Sequence, residues 1–188
     1  MIPYTVERRA DTGVNNVTLG IWLFIASEVM LFGALFSSYA LLRVSAPAWP
    51  HGFDVLGVWF GVANTFVLSI MTALILRARA LDAAAARRLV LAGSGLAVLF
   101  LVIKAIEWRG EIHDGLLPSI NTFFAMYFTL TGLHALHVIA GLTANVWALS
   151  GAARVGEAMT AGRIRSLALY WAFVDIVWLI IFLLFYLT

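Results

Sequence analysis

Apolar residues run through this chain in five long blocks, about 17–42, 55–76, 89–108, 120–149 and 167–187, with short polar connections between them. Each block reaches the roughly 20 residues that a helix rising 1.5 Å per residue needs to cross a hydrocarbon core of about 30 Å. None shows the ten-residue alternation of a barrel strand. In lipid the backbone groups must pair within the segment, so the blocks predict helices. The fold class is all-α: a polytopic membrane bundle of five transmembrane helices forming a single membrane domain, 1–188. The connection APAWPHGFD reads as a plain loop, its Gly and Pro punctuating the chain. The connection RARALDAAAARRL is alanine-rich and helix-prone, and is read as a solvated charged turn beside anionic headgroups. No low-complexity segment and no convincing repeat interrupts the pattern.

Composition agrees, since 63% of the 188 residues are hydrophobic and 12% are charged, too few polar groups to cover a soluble surface. The formal excess is only +2, so the distribution of positive charge matters more than its total. Arg8, Arg9, Arg77, Arg79, Arg87, Arg88, Arg154, Arg163 and Arg165 fall on one side of the five spans, and Arg43, Arg109 and Lys104 on the other, nine against three. The positive-inside rule then places the N-terminus in the cytoplasm and the C-terminus outside. The N-terminal stretch has no signal-peptide layout, so the first helix is expected to remain in the protein. The absence of cysteine excludes disulfides, thiolate metal sites and iron-sulfur clusters. Nothing has the form of a nucleotide loop, a nucleophile elbow or a nucleic-acid module, so no nucleic acid partner is expected.

Ionisable groups at membrane depth cost roughly 2.5 to 3.5 kcal/mol each on insertion scales, so each asks for a reason. Glu28, His134, His137 and Asp175 fall near one level at the middle of the first, fourth and fifth spans, and are expected to satisfy one another across helices as an intramembrane polar cluster. The cluster reads more readily as a structural hydrogen-bond knot than as a proton relay, because no polar continuation leads from it to either surface. Glu107, beside Trp108 and Arg109, reads as a helix-end polar contact. His134 and His137 share one helical face, while His51 and His113 sit on outer connections, so no metal or haem site is expected in this chain. Ala26, Gly33, Ser37 and Ala40 form a small-residue stripe on the first helix that permits close contact with a partner helix. Trp22, Trp108, Trp171 and Trp178 are candidates for contact with lipid or a second subunit. Lacking a catalytic constellation of its own, the chain is either a transporter or a partner of a protein that has one.

Several ordered strings resemble the haem-copper respiratory oxidase (cytochrome c oxidase and quinol oxidase) subunit III family, in its five-helix form. GIWLFIASEVMLFGALFSSYALL is similar to the family's first motif, with Glu28 at the position of its intramembrane carboxylate. Asn64 and Thr65 match the opening of the next helix. KAIEWRGEIHDGLLPSINTFFAMYFTLTGLHALHVIAGL carries the third-helix Glu (Glu107), the turn at Asp114 and Gly115, and the signature Gly132, His134, His137, Val138. YWAFVDIVWLIIFLLFYL resembles the terminal motif, with Asp175 and Trp178 in register and Ala172 where the family has histidine.

The resemblance implies a non-catalytic structural subunit, part of an oxidoreductase and translocase complex of aerobic respiration in the bacterial cytoplasmic membrane. Such a subunit binds no cofactor itself; haem and copper are expected in the catalytic subunit I that it packs beside, along with other oxidase subunits and membrane phospholipids. Two alternatives stay open. Ala172 suggests a subunit-III-like accessory protein of nitric oxide reductase, and Glu28 with Asp175 suggests an autonomous ion or small-molecule carrier.

Overall fold

The computed structural model describes residue 13, residues 16–150 and residues 157–188, with side chains from 161 onward in the last stretch. Arg8, Arg9 and Arg154 of the charge count lie outside the described residues. The helices are α1 Asn16–Ser45, α2 Gly52–Val55, α3 Val58–Ala78, α4 Ala83–His113, α5 Thr122–Ser150 and α6 Glu157–Tyr186. All but α2 are long and apolar enough to cross a membrane, five spans among the described residues.

Several helix ends run past the apolar blocks, while α3 and α5 begin a few residues inside theirs. The clearest case is α4, which takes in Arg87 and Arg88 at its start and Arg109 to His113 at its finish. Hydropathy marks only the part immersed in lipid, whereas a helix continues for as long as propensity and capping support it. Here the Asp82 side chain accepts hydrogen bonds from the backbone N–H groups of Ala84 and Ala85 at 3.0 and 2.9 Å, capping an alanine-rich first turn. The stretch read as a plain loop holds α2. Its Leu56 N–H donates to Gly52 O, and the Gly52 N–H donates to Thr188 O, both at 2.9 Å, so this turn anchors the C-terminal end of the chain.

Helix α6 is the hub, packing against each of the other helices. Glycine makes two of these approaches possible. A Cβ on Gly141 of α5 would stand 2.5 Å from Trp171 Cζ2, and one on Gly52 would overlap the Phe185 carbonyl. Hydrogen bonds tie α6 to its neighbours in regions without water to compete: Trp171 Nε1–H donates to Asn145 Oδ1 and Trp178 Nε1–H to Thr65 Oγ1, both at 3.0 Å. The Tyr39 hydroxyl donates to Leu184 O at 2.6 Å and that of Tyr170 to His137 O at 2.7 Å. By contrast α1 lies at the edge of the bundle, where Phe32 and Tyr39 are its buried residues.

Candidate functional site

The four side chains expected to form one intramembrane cluster are divided by the packing. Glu28 of α1 and His137 of α5 do meet, Oε2 lying 3.0 Å from Nε2. The Nδ1 of His137 is 2.8 Å from Leu133 O, and a carbonyl can only accept, so Nδ1 carries hydrogen. One proton therefore lies between His137 Nε2 and Glu28, whichever of the two owns it. The pair is only slightly exposed, 15% of the Glu28 and 13% of the His137 side chain, and it borders a groove of about 440 Å³ with Phe24, Leu136, Ala140 and Tyr170.

His134 faces the interior and is apart from that pair. It is fully buried against the rings of Phe100 (5.5 Å) and Trp178 (5.3 Å), and neither ring nitrogen has a hydrogen-bond partner in the protein. The expected hydrogen bond within the bundle is thus not made by this residue. Asp175 turns toward α3, where the Ser69 hydroxyl donates to Oδ1 at 3.4 Å. A side chain's angular position around its helix decided these partners, and equal depth in the bilayer did not.

Glu107 is not a helix-end contact. Because α4 continues for another turn and a half, Glu107 is only 3% exposed and lies inside the bundle. Its Oε2 accepts from Lys104 Nζ at 3.0 Å and its Oε1 from the Tyr186 hydroxyl at 2.5 Å. Lys104, counted among the external charges from sequence, is 2% exposed and gives its other hydrogens to Tyr127 Oη (2.8 Å) and Tyr186 Oη (2.6 Å). Glu111 completes the knot, with Oε1 2.8 Å from Tyr127 Oη. The rings of Trp108 and Trp178 flank the ammonium at 6.0 and 5.5 Å. Sequence reasoning missed Lys104, Glu111, Tyr127 and Tyr186 as a group. The spacing of Lys104, Glu107 and Glu111 on one helical face was the available signal, whereas the tyrosines come from α5 and α6 and left none.

The tryptophans divide in the same way. Trp22 is 54% exposed, but Trp171 and Trp178 are fully buried among this chain's own helices and cannot touch lipid or another subunit. Trp108 is half-buried, its ring tilted against Phe128 of α5 at 5.8 Å. The small residues Ala26, Gly33, Ser37 and Ala40 are all exposed, and a Cβ on Gly33 would meet nothing within 4 Å, so the stripe makes no close helix contact inside the chain. Between α1 and α6 an apolar groove of about 460 Å³ is lined by Trp22, Phe32, Phe36, Ala172 and Phe173 among others. At Ala172, where the resembling family carries histidine, it presents a methyl group.

The described histidines do not converge, and no group of three His, Asp or Glu among the described residues could hold a metal ion. His134 sits in an aromatic cage and His137 is committed to Leu133 and Glu28.

These features define a class: a polytopic helical membrane protein with ionisable side chains held inside its bundle. Residues 7–188 match the family described as cytochrome c oxidase subunit III, and the chain belongs to that family. It is 31% identical to cytochrome bo(3) ubiquinol oxidase subunit 3 of Pseudomonas aeruginosa, over 94% of this chain and 87% of that one. To cytochrome c oxidase subunit 3 of Bacillus sp. PS3 it is 29% identical, over 98% and 92%. It is also 33% identical, over 93% of its length, to the heme-copper oxidase subunit I+III of Aeropyrum pernix, of which it spans 23%.

Proposed function

We propose that this chain is the non-catalytic third subunit of a haem-copper terminal oxidase in a bacterial cytoplasmic membrane. It packs beside a catalytic subunit I that carries the haem and copper and reduces oxygen. The observation that carries the reading is the family match over 7–188, together with a relative whose single polypeptide is named for subunits I and III. A subunit that can be fused to subunit I works next to it. The polar groups are in keeping with this view, since Glu28 meets His137, Asp175 meets Ser69, and Lys104, Glu107 and Glu111 are held in a buried knot.

On this reading the exposed face of α1, with its small-residue stripe and the neighbouring Glu28–His137 pair, is where a companion chain or lipid gathers. The apolar groove beside Ala172 takes a phospholipid acyl chain. The N-terminus is cytoplasmic, in keeping with the arginines on that side. Extraction of native membranes in mild detergent and purification through this chain should bring down a large subunit with haem absorbance and phospholipid. Recovery of this chain alone, stable and without haem, would sink the proposal.

A further inference from the structure

The proposed function assigns no proton chemistry to the knot of Lys104, Glu107, Glu111, Tyr127 and Tyr186, and its hydrogens can be counted one by one. An ammonium has three N–H donors and no acceptor. The three contacts of Lys104, to Glu107 Oε2, Tyr127 Oη and Tyr186 Oη, use all of them. Tyr186 then gives its one hydroxyl hydrogen to Glu107 Oε1 at 2.5 Å. Tyr127 also has one hydrogen, but two carboxyl oxygens lie within reach, Glu107 Oε1 at 3.1 Å and Glu111 Oε1 at 2.8 Å. The 3.3 Å contact between the two tyrosine hydroxyls is long and needs no hydrogen of its own.

An ionised Glu111 leaves this arithmetic short. Tyr127 serves only one carboxylate, and Glu111 Oε2, buried without a partner, shares a charge that at most one hydrogen bond supports. With a proton on Glu111 every contact is used: Glu111 donates to Tyr127 Oη, and Tyr127 donates to Glu107 Oε1. Charge leads to the same assignment. The single ammonium balances one carboxylate, and a second one at 6% exposure would stand uncompensated.

We infer that this knot is a proton-binding site, holding one exchangeable proton on the Glu111 carboxyl with Tyr127 as the relay to Glu107. In the transfer the Glu111 O–H bond breaks as a Tyr127 O–H bond forms. The hydrogen that Tyr127 held moves to Glu107 Oε1, and the negative charge passes from Glu107 to Glu111. Glu111 lies two residues before the end of α4, and its backbone carbonyl accepts from Leu116 N–H at 2.8 Å. The proton thus rests where the helix meets the connection that begins at Asp114. The groups facing it are Lys104 and Glu107 from α4, Tyr127 from α5 and Tyr186 from α6.

The test is infrared spectroscopy of the lipid-reconstituted protein, together with whatever chains purify with it, in water and in deuterium oxide. The wild type should show a protonated-carboxyl carbonyl stretch that is lost in Glu111→Gln. The same band should be lost in Glu107→Gln, because the one remaining carboxyl then balances Lys104 as a carboxylate. Tyr127→Phe keeps both carboxyls, so it should keep the band, moved to higher frequency and slower to exchange with deuterium. Glutamine variants that both keep every protonated-carboxyl band of the wild type would overturn the proposal, bands of Glu28 and Asp175 being common to all three proteins. So would a Tyr127→Phe protein with unchanged frequency and exchange, and that variant decides the matter alone if the glutamine variants fail to assemble.

Discussion

Lys104 gives each of its hydrogens to an oxygen of another side chain in the middle of an apolar bundle, so removing it strands the groups that depend on it. Lys104→Met should destabilise the protein by about 3 kcal/mol or more, the scale for breaking a buried pair by deleting one partner. Adding Glu107→Gln should recover part of the loss, and thermal unfolding in detergent of the two variants and the double change measures both. The histidines make a sharper contrast. His134 has no hydrogen-bond partner to lose, so His134→Phe should leave stability within about 1 kcal/mol of wild type, whereas His137→Phe leaves the Glu28 carboxyl unpaired at a cost of about 1–3 kcal/mol. Equal losses in the same assay would contradict the division of the cluster.

At the scale of helices, contact is set by where bulk is missing. Gly141→Ala puts a methyl group into the Trp171 ring and should cost about 1–3 kcal/mol by forcing α5 and α6 apart, while Gly33→Ala meets open space and should be close to neutral. The start of α4 depends on charge. Asp82 is exposed, and its carboxyl is held below its ordinary value of 3.8, chiefly by the hydrogen bond from the Ala85 N–H and also by that from Ala84. A depressed value means that the cap's contribution is fully present above 3.8 and is lost as pH falls through the folded-state value beneath it. Protection of the Ala84 and Ala85 amides, their exchange measured against the intrinsic rate at each pH, should fall in acid for the wild type and not for Asp82→Asn, which caps without titrating.

Hydropathy made the number and class of the spans legible, since lipid leaves a chain few ways to satisfy its backbone. The ends of α4 were not, because an alanine-rich turn and an aspartate cap extend a helix where hydropathy has already fallen. Side-chain partners were the least legible part. Glu28 and His137 came together as their depth suggested, but the rotation of α5 turns His134, one turn earlier, into the interior. Glu107 looked interfacial only because its neighbours Trp108 and Arg109 are amphipathic, and the Tyr127 and Tyr186 hydroxyls that hold it come from distant segments.

For the molecule as a whole, Lys104 lies buried in the bundle, which leaves nine basic residues against two in the count across the membrane. With a cytoplasmic N-terminus, an impermeant thiol reagent applied to intact cells should label Asp114→Cys and spare Leu81→Cys; both positions are exposed, and the reverse pattern would invert the topology. Glu28→Gln should insert normally and weaken retention of companion chains, seen as a lower yield of the large subunit after detergent extraction. Undiminished yield would remove Glu28 from the docking face.

The edge position of α1 also bears on how the chain is made. Its neighbours are chiefly α6 and α5, the last helices to leave the ribosome, with little to hold it from α3 or α4. The first span therefore waits in the bilayer as a lone helix, kept there by its own hydropathy, with Glu28 lacking its imidazole until the second half has been translated. A message cut short before α5 would yield a product whose opening segment has neither of its two main neighbours and whose Glu28 carboxyl has no imidazole to meet.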